Sequence, residues 1–391
     1  MTIDFDEIIE RRNTESAKWD GMEARCGVTA PDGIPMWVAD MDFRPPQSVS
    51  DTLAKILDQG VFGYYYHPGG FQSAVVDWMR TRHDWQVDPD WIFTTHGLLS
   101  GVGIGLQVFS EPGDGVIIFT PVYHVFHSLV RANGRRVVQS PLVEVDGRYE
   151  MDLEGLAARL DGRERIVLLC SPHNPGGRVW SREELRALAE FCKIHDLILI
   201  SDEIHHDLVY PGQKHAILSL AAPDHVDRIV VCAAPTKTFN IAGAMTGMTI
   251  IEDPALREKF RALYASVSPS QNGIGVRLSS AAYQGGAEWL DALLVYLEEN
   301  RRIFDAGVNA IPGVRSMQLQ ATYLAWVNFS GTGMSPEELA DRAARTARIG
   351  VNKGPTFGMG GEPFLRFNFA TRRALVREAV ERLQAAFGDL Q

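Results

Sequence analysis

Short runs of β-branched and aliphatic residues recur through the middle of the chain: Arg165–Cys170 (RIVLLC), Leu197–Ser201 (LILIS) and Arg228–Cys232 (RIVVC). Their near-continuous apolar character is that of strands buried on both faces. Trp91–Thr95, Gly115–Thr120, Arg136–Gln139 and Met248–Ile251 read as further strands. Between them lie stretches with helical spacing. One is opened by Gly97, one covers Tyr123–Asn133, and one starts at Ser181 and runs to about His195. Ser181 with Glu184 three residues on is a capping box. Strands alternating with helices predict an α/β fold, a three-layer α/β/α domain around a mostly parallel central sheet.

The texture changes after about Gly286. Glu288–Ala310 reads as one long helix stopped by Pro312-Gly313. A strand pair around Tyr323–Phe329 follows, then a helix capped at Ser335-Pro336-Glu337-Glu338, a strand over Phe364–Phe369 and a C-terminal helix rich in Arg and Ala. This predicts a large domain over residues 45–286 and a smaller α/β domain over 287–391. Residues 1–44 carry few sheet signals and are expected to wrap onto the small domain. No internal repeat is visible.

Composition narrows the class. The 391 residues are 45% hydrophobic and 22% charged, an ordinary globular balance. A net charge of −11 lacks the basic footprint of a nucleic-acid binder. No apolar run approaches the roughly 18 residues of a membrane span. The first residues (MTIDFDEIIERRN) lack the pattern of a signal peptide. Cys26, Cys170, Cys192 and Cys232 show no CxxC spacing, so free thiols in a reducing cytoplasm are expected.

In sheets of this kind ligands bind beyond the carboxyl ends of the strands. Four segments are placed there. Gly97, ahead of a helix start, offers free N–H groups and a positive dipole end, a seat for phosphate. Lys237, just past a buried strand, is costly to keep charged and suited to a Schiff base with a carbonyl. Asp202 in the same position would keep a pyridinium nitrogen protonated. Asn174, before Pro175-Gly176, could reach a ring hydroxyl from a rigid turn. Each also reads alone as ordinary turn or cap chemistry. Their order decides: Asn174, Asp202 and Lys237 lie 28 and 35 residues apart, each one strand further along. A Schiff-base lysine, a pyridinium partner, a phenolate partner and a phosphate seat are the requirements of pyridoxal 5′-phosphate.

The segments Asn174-Pro175-Gly176-Gly177, Ser201-Asp202-Glu203-Ile204-His205 and Thr236-Lys237-Thr238-Phe239-Asn240 resemble those of fold-type I pyridoxal phosphate enzymes of the aspartate aminotransferase superfamily, and the resemblance covers nearly the whole chain. Phe5-Asp6, the run Arg11–Asp20, Trp37–Phe43, Phe62-Gly63-Tyr64 and Lys237–Gly243 are similar to the C–S lyase branch, the MalY/PatB-like cystathionine β-lyases. The resemblance implies that Lys237 carries the cofactor, Asp202 pairs with its pyridine nitrogen, Asn174 meets its 3′-oxygen and Tyr123 stacks on its ring. It implies that backbone N–H groups of Gly97, Leu98 and Leu99 and the Thr236 hydroxyl hold the phosphate. Tyr64 would reach the phosphate of the other subunit's cofactor in a homodimer. Arg366 would hold the α-carboxylate of an amino acid substrate, with Asn174 and Ala39 beside it.

Three departures from the aminotransferase pattern stand out. His205 replaces a common tyrosine and joins the cofactor contacts, Ala234 replaces a serine, and Met245 replaces the phosphate arginine. Phosphate anchorage should therefore rest on backbone donors and Tyr64. The activity implied is α,β-elimination of cystathionine or another S-substituted L-cysteine to a thiol, pyruvate and ammonia. The alternative is an aminotransferase acting on an L-amino acid and a 2-oxo acid. A third reading keeps the fold as a regulatory protein. No metal is expected, because adjacent histidines on a strand, His205 and His206, point to opposite faces. Gly101, Gly103 and Gly105 do not complete a dinucleotide fingerprint.

Overall fold

The computed structural model describes residues 3–29, 32–67, 69–267 and 270–390. Seven strands form the main sheet: β1 (Ile92–Thr95), β2 (Gly115–Thr120), β3 (Arg136–Pro141), β4 (Glu164–Cys170), β5 (Ile198–Asp202), β6 (Ile229–Ala233) and β7 (Gly247–Ile250). Their spatial order is β1-β7-β6-β5-β4-β2-β3. Every pairing from β3 across to β6 is parallel. Only β7 runs antiparallel, against both β6 and β1. The expected mostly parallel sheet is present.

The run in β4 shows why both faces must be covered. Its side chains alternate with period two. Ile166 and Leu168 join Ile118, Ile200 and Phe260 on one face, while Val167 and Leu169 join Ile117, Leu199 and Leu188 on the other. Among the helices are α1 (Gln47–Gln59), α2 (Gly70–His83), α3 (Leu98–Phe109), α4 (Val125–Ala132), α5 (Arg182–Ile194), α6 (Pro254–Val267), α7 (Gly273–Gly285) and α8 (Ala287–Asn309). Helices α3, α4 and α6 pack on the first face through Val102, Phe126 and Phe260. Helix α5 packs on the second through Leu185 and Leu188. Its capping box is formed: Glu184 N donates to Ser181 Oγ at 3.1 Å, and Ser181 N to Glu184 Oε2 at 2.7 Å.

The glycines of α3 serve packing. A Cβ on Gly101 would lie 2.3 Å from Thr249 Oγ1, and one on Gly105 2.9 Å from Ile200 Cδ1. The helix therefore sits directly on the sheet, which brings its N-terminus to the strand ends.

A second, antiparallel sheet contains β8 (Arg315–Ser316), β9 (Leu324–Asn328), β10 (Asn352–Lys353) and β11 (Phe364–Asn368), in the order β8-β9-β11-β10. The strand pair expected at Tyr323–Phe329 is a single strand, β9. The segment holds no turn residue before Asn328, its last strand position, and its partners are β8 and β11. The helices α9 (Pro336–Asp341), capped by Ser335, and α10 (Arg373–Ala386) complete this part of the chain.

The N-terminal segment lies against this second unit. Ile34–Pro35 pairs with Ile349–Gly350, and Asn368 Nδ2 donates to the carbonyls of Val38 and Asp40. It also reaches the loop that follows β6, where Asn240 Nδ2 donates to Met41 O and Phe43 O. Buried Lys18 fixes it by an ion pair with Asp42 at 2.7 Å. Residues 37–43 are thus held between the two sheets, above the carboxyl ends of β4, β5 and β6. Among the described residues no helix is long and apolar enough to cross a membrane.

Candidate active site

Parallel strands deliver their carboxyl ends to one edge. The register places Cys170 beside Asp202 and Asp202 beside Cys232, so the loops after β4, β5 and β6 meet. With the N-terminus of α3 they enclose a cavity of about 220 Å³. Lys237, Asp202, Asn174, Tyr123, Thr236 and His205 line it, together with Ala39 and the Gly97-Leu98-Leu99 turn. Arg366 stands behind Asn174. Tyr64 is 96% exposed and does not line the cavity of its own chain.

The α3 end is built for an anion. The first N–H groups of a helix have no intrahelical partner, and the dipole there favours negative charge. Gly97 enters the helix at φ 77°, a conformation that favours glycine. A Cβ on Gly247 would lie 2.7 Å from Leu98 N, so β7 passes directly beneath this turn. Met245 sits at the rim, half-exposed. Apart from Lys237, no lysine or arginine lines the cavity among the described residues.

Asp202, the last residue of β5, is 3% exposed. Oδ1 accepts one hydrogen bond, from Ile204 N at 3.1 Å, and no lysine or arginine pairs with the carboxylate among the described residues. Burial pushes it up to about 7, against the Ile204 N–H. Lys237 is carried by a single helical turn, Pro235–Thr238, just past β6. Its Nζ donates to Ala39 O at 2.6 Å. Burial draws the amine down to about 8, with the Asp40 carboxylate opposing. Thr236 is buried one residue before it, and burial raises the Tyr123 phenol. A buried acid short of a cationic partner, an amine neutral in part near pH 8 and a row of free N–H groups suit one ligand. It carries an amine-reactive carbonyl, a protonated ring nitrogen and a phosphate.

Arg366 is 2% exposed on β11. Its Nη1 donates to Asn174 Oδ1 at 3.0 Å, and its Nη2 to Trp37 O at 2.7 Å and Asn352 Oδ1 at 2.6 Å. Its Nε is buried without a partner, and no carboxylate pairs with it among the described residues. Burial lowers it to about 10, opposed by Tyr123 and Tyr323. A buried guanidinium with no carboxylate is prepared to receive one. Asn352 and the Trp37 carbonyl were not anticipated. Asn352 opposes Arg366 in the β10–β11 register, a long-range pairing that leaves no mark in the sequence.

His205 and His206 are not on a strand. Residues 204–207 form a turn, because β5 ends at Asp202 and His206 N bonds back to Glu203 O. His205 lines the cavity, with Nδ1 unpartnered and burial pressing the ring down to about 3. His206 lies behind, against His83 and Asp207.

Known proteins share this architecture. The cystathionine beta-lyase PatB of Bacillus subtilis (strain 168) is 41% identical over 392 residues, covering 98% of this chain and 100% of PatB. A PLP-bound C–S lyase from Staphylococcus hominis superposes with a TM-score of 0.91 at 30% identity, over 99% of this chain and 98% of that one. A PLP-bound putative aminotransferase from Clostridium difficile 630 superposes at 0.94 with 33% identity, over 99% and 100%. A family model, aminotransferase class I and II, matches residues 31–383. The chain belongs to the aminotransferase class I and II family.

Proposed function

We propose that this chain is a pyridoxal 5′-phosphate-dependent carbon–sulfur lyase. It converts cystathionine or a related S-substituted L-cysteine, with water, to a thiol, pyruvate and ammonia. The observation that carries the chemistry is the meeting of Lys237, Asp202 and the α3 N-terminus in one cavity, with a carboxylate-free Arg366 behind it. The name of the 41% identical relative, a cystathionine beta-lyase, supports elimination over transamination.

When bound, the cofactor supplies an aldehyde that captures amines and a cationic ring that withdraws electrons from the substrate Cα. Asp202 would keep the ring nitrogen protonated, because a cation beside this buried carboxylate offsets the burial that otherwise pushes it up to about 7. Asn174, whose Oδ1 accepts from Arg366, would be the partner of the ring 3′-oxygen. Tyr123 would pack against the ring, and the Leu98 and Leu99 N–H groups with the Thr236 hydroxyl would hold the phosphate. Arg366 binds the substrate carboxylate through Nε and a guanidinium edge. Lys237 Nζ anchors the cofactor and then takes the Cα proton, and an amine titrating near 8 suits a general base. The Ala39 carbonyl, 2.6 Å from Nζ, aims it.

The chain acts as a homodimer with shared sites. Val61, Phe62, Tyr64 and Tyr66 are 65–96% exposed in one run, an apolar and aromatic edge suited to a second copy. Tyr64 of each copy then serves the cavity of the other. Four unpaired cysteines suit a reducing cytoplasm.

The test is cystathionine with the cofactor-loaded protein and no 2-oxo acid. Pyruvate and a free thiol are expected in equal amounts. Absence of pyruvate, with amino-group transfer to an added 2-oxo acid, would establish the aminotransferase reading instead.

A further inference from the structure

Behind the active site, on the far side of the turn after β5, three imidazoles and two carboxylates are buried together. His83 Nε2 is 2.8 Å from Asp207 Oδ1, and His206 Nε2 is 3.2 Å from Asp207 Oδ2. One ligand atom from each of His83, His206 and Asp207 lies within 4.8 Å of the others. His215 is near, its ring centroid 6.3 Å from those of His83 and His206. His83, His206, Asp207 and His215 line a cavity of about 140 Å³.

Charge and hydrogen bonding leave this cluster incomplete. Asp207 and Glu203 are 3% and 0% exposed, and neither pairs with a lysine or arginine among the described residues. Arg82 and Lys214 flank the cavity but pair outward, with Asp291 and Asp84. Two buried carboxylates need about two positive charges. His215 stands on Glu203, while His83 and His206, with centroids 4.7 Å apart, share Asp207, so at most one of those two rings can be an imidazolium and the other is left neutral among buried acids. His206 Nδ1 donates to Glu203 O, so in the neutral ring Nε2 carries a lone pair. That atom is buried, makes no hydrogen bond and faces a carboxylate oxygen. His215 Nδ1 is likewise buried without a partner, while its Nε2 is held by Glu203 Oε2 at 2.8 Å.

We propose that His83, His206 and Asp207, completed by His215, bind a divalent transition-metal ion of the zinc class. One dication would balance both carboxylates and take up the unpartnered His206 Nε2. Nitrogen and carboxylate donors in a four-ligand set suit zinc. The supports expected around such a site are present. Glu203 holds His215 through its carboxylate and His206 through its carbonyl. Trp78 Nε1 and Thr238 Oγ1 hold the two Asp207 oxygens at 3.0 and 2.8 Å. The ion ties the end of α2 to the β5 turn and, through Thr238, to the turn bearing Lys237. Its role is structural. Judging His206 only against its neighbour His205 hides this set, because His83 lies 123 residues earlier.

Untagged holoenzyme, incubated with zinc and desalted, is expected to retain about one zinc per chain. Its Tm should exceed that of the chelator-treated protein, and cobalt in place of zinc should show the visible bands of a four-coordinate ion. His83→Gln and His206→Gln should each weaken zinc binding at least about tenfold. His225→Gln, at a buried histidine paired instead with Glu190, should not. Clearly substoichiometric zinc on the wild-type protein with no change in Tm overturns the proposal. So does undiminished binding by His83→Gln together with His206→Gln. Should those variants not fold, the cobalt spectrum of the wild-type protein decides: four-coordinate bands uphold the site, and the spectrum of the hexahydrated ion overturns it.

Discussion

Asp202 and Asp207 are the same residue type, equally buried, five positions apart across the end of β5 and the turn after it, and their surroundings are opposite. Asp202 has a single backbone donor, and burial pushes its carboxyl up to about 7. Asp207 takes hydrogen bonds from Trp78, Thr238 and His83 with His206 alongside; burial would raise it, but these partners hold it well below the usual carboxylate range. The histidines between them divide the same way. His205, on the cavity side, is pressed down to about 3 by burial. His206, on the far side, is raised despite burial by the Asp207 charge. Asp202 is left bare where an organic ligand comes and goes, and Asp207 is fixed by donors from three elements, as a carboxylate that serves as a structural ligand must be.

The largest break in this comparison comes from the cavity side. Lys237→Ala would remove both the proposed anchor and the proposed base, and pyruvate formation should fall by about 10²–10⁴-fold or more. The visible absorption of the bound cofactor should be lost with it. A variant that kept both would move the chemistry away from this cavity.

The contrast between the two aspartates is sharpened by giving both the same substitution. In the cofactor-free chain, Asp202 binds its proton more tightly folded than unfolded. Stability contributed there is present at low pH and lost as pH rises from about 4 through 7. Asp202→Asn should therefore stabilise the cofactor-free chain at pH 8, by up to about 4 kcal/mol, and leave it unchanged near pH 4. Asp207→Asn should destabilise it at pH 8 by about 3–5 kcal/mol, since the buried donors of Trp78, Thr238 and His83 lose the carboxylate they are aimed at. Thermal melts of both variants at pH 4–8 check the opposite signs. Equal signs at pH 8 would erase the distinction.

What could be read beforehand follows the same division. The strands, the capping box at Ser181 and the line Asn174–Asp202–Lys237 were legible, because each rests on local spacing and on the rule that parallel strands end on one edge. Arg366 was found only through resemblance. Its holders, Asn352 and the Trp37 carbonyl, come from a β10–β11 register and an N-terminal strap that no local pattern encodes. The single strand β9 was misread as a pair because apolar periodicity does not count strands. His83 next to His206 depends on where α2 ends in space.

Arg366 tests whether under-partnering serves substrate as well as cofactor. Arg366→Ala should chiefly raise KM, by the equivalent of about 2–5 kcal/mol for a buried charge pair, with a smaller change in kcat. Steady-state kinetics on cystathionine separate the two. An unchanged KM would mean that the unpartnered Nε faces no carboxylate.

The smallest effect belongs at the rim. If backbone N–H groups carry the phosphate, an added cation should contribute little. Met245 lines the cavity half-exposed, close to Gly97: a Cβ on that glycine would lie 3.6 Å from Met245 Cε. Met245→Arg would place a cation at the rim beside this turn. The site is open to water, so screening limits the gain to about 0.2–1 kcal/mol, at most roughly a fivefold tighter cofactor. The residue already holds φ 45° without glycine, so the exchange adds no backbone cost. Equilibrium dialysis of the cofactor against both proteins measures the ratio. A gain of a hundredfold would show that the α3 N-terminus is itself under-partnered, and that the unsatisfied side of the comparison extends from Asp202 to the phosphate seat.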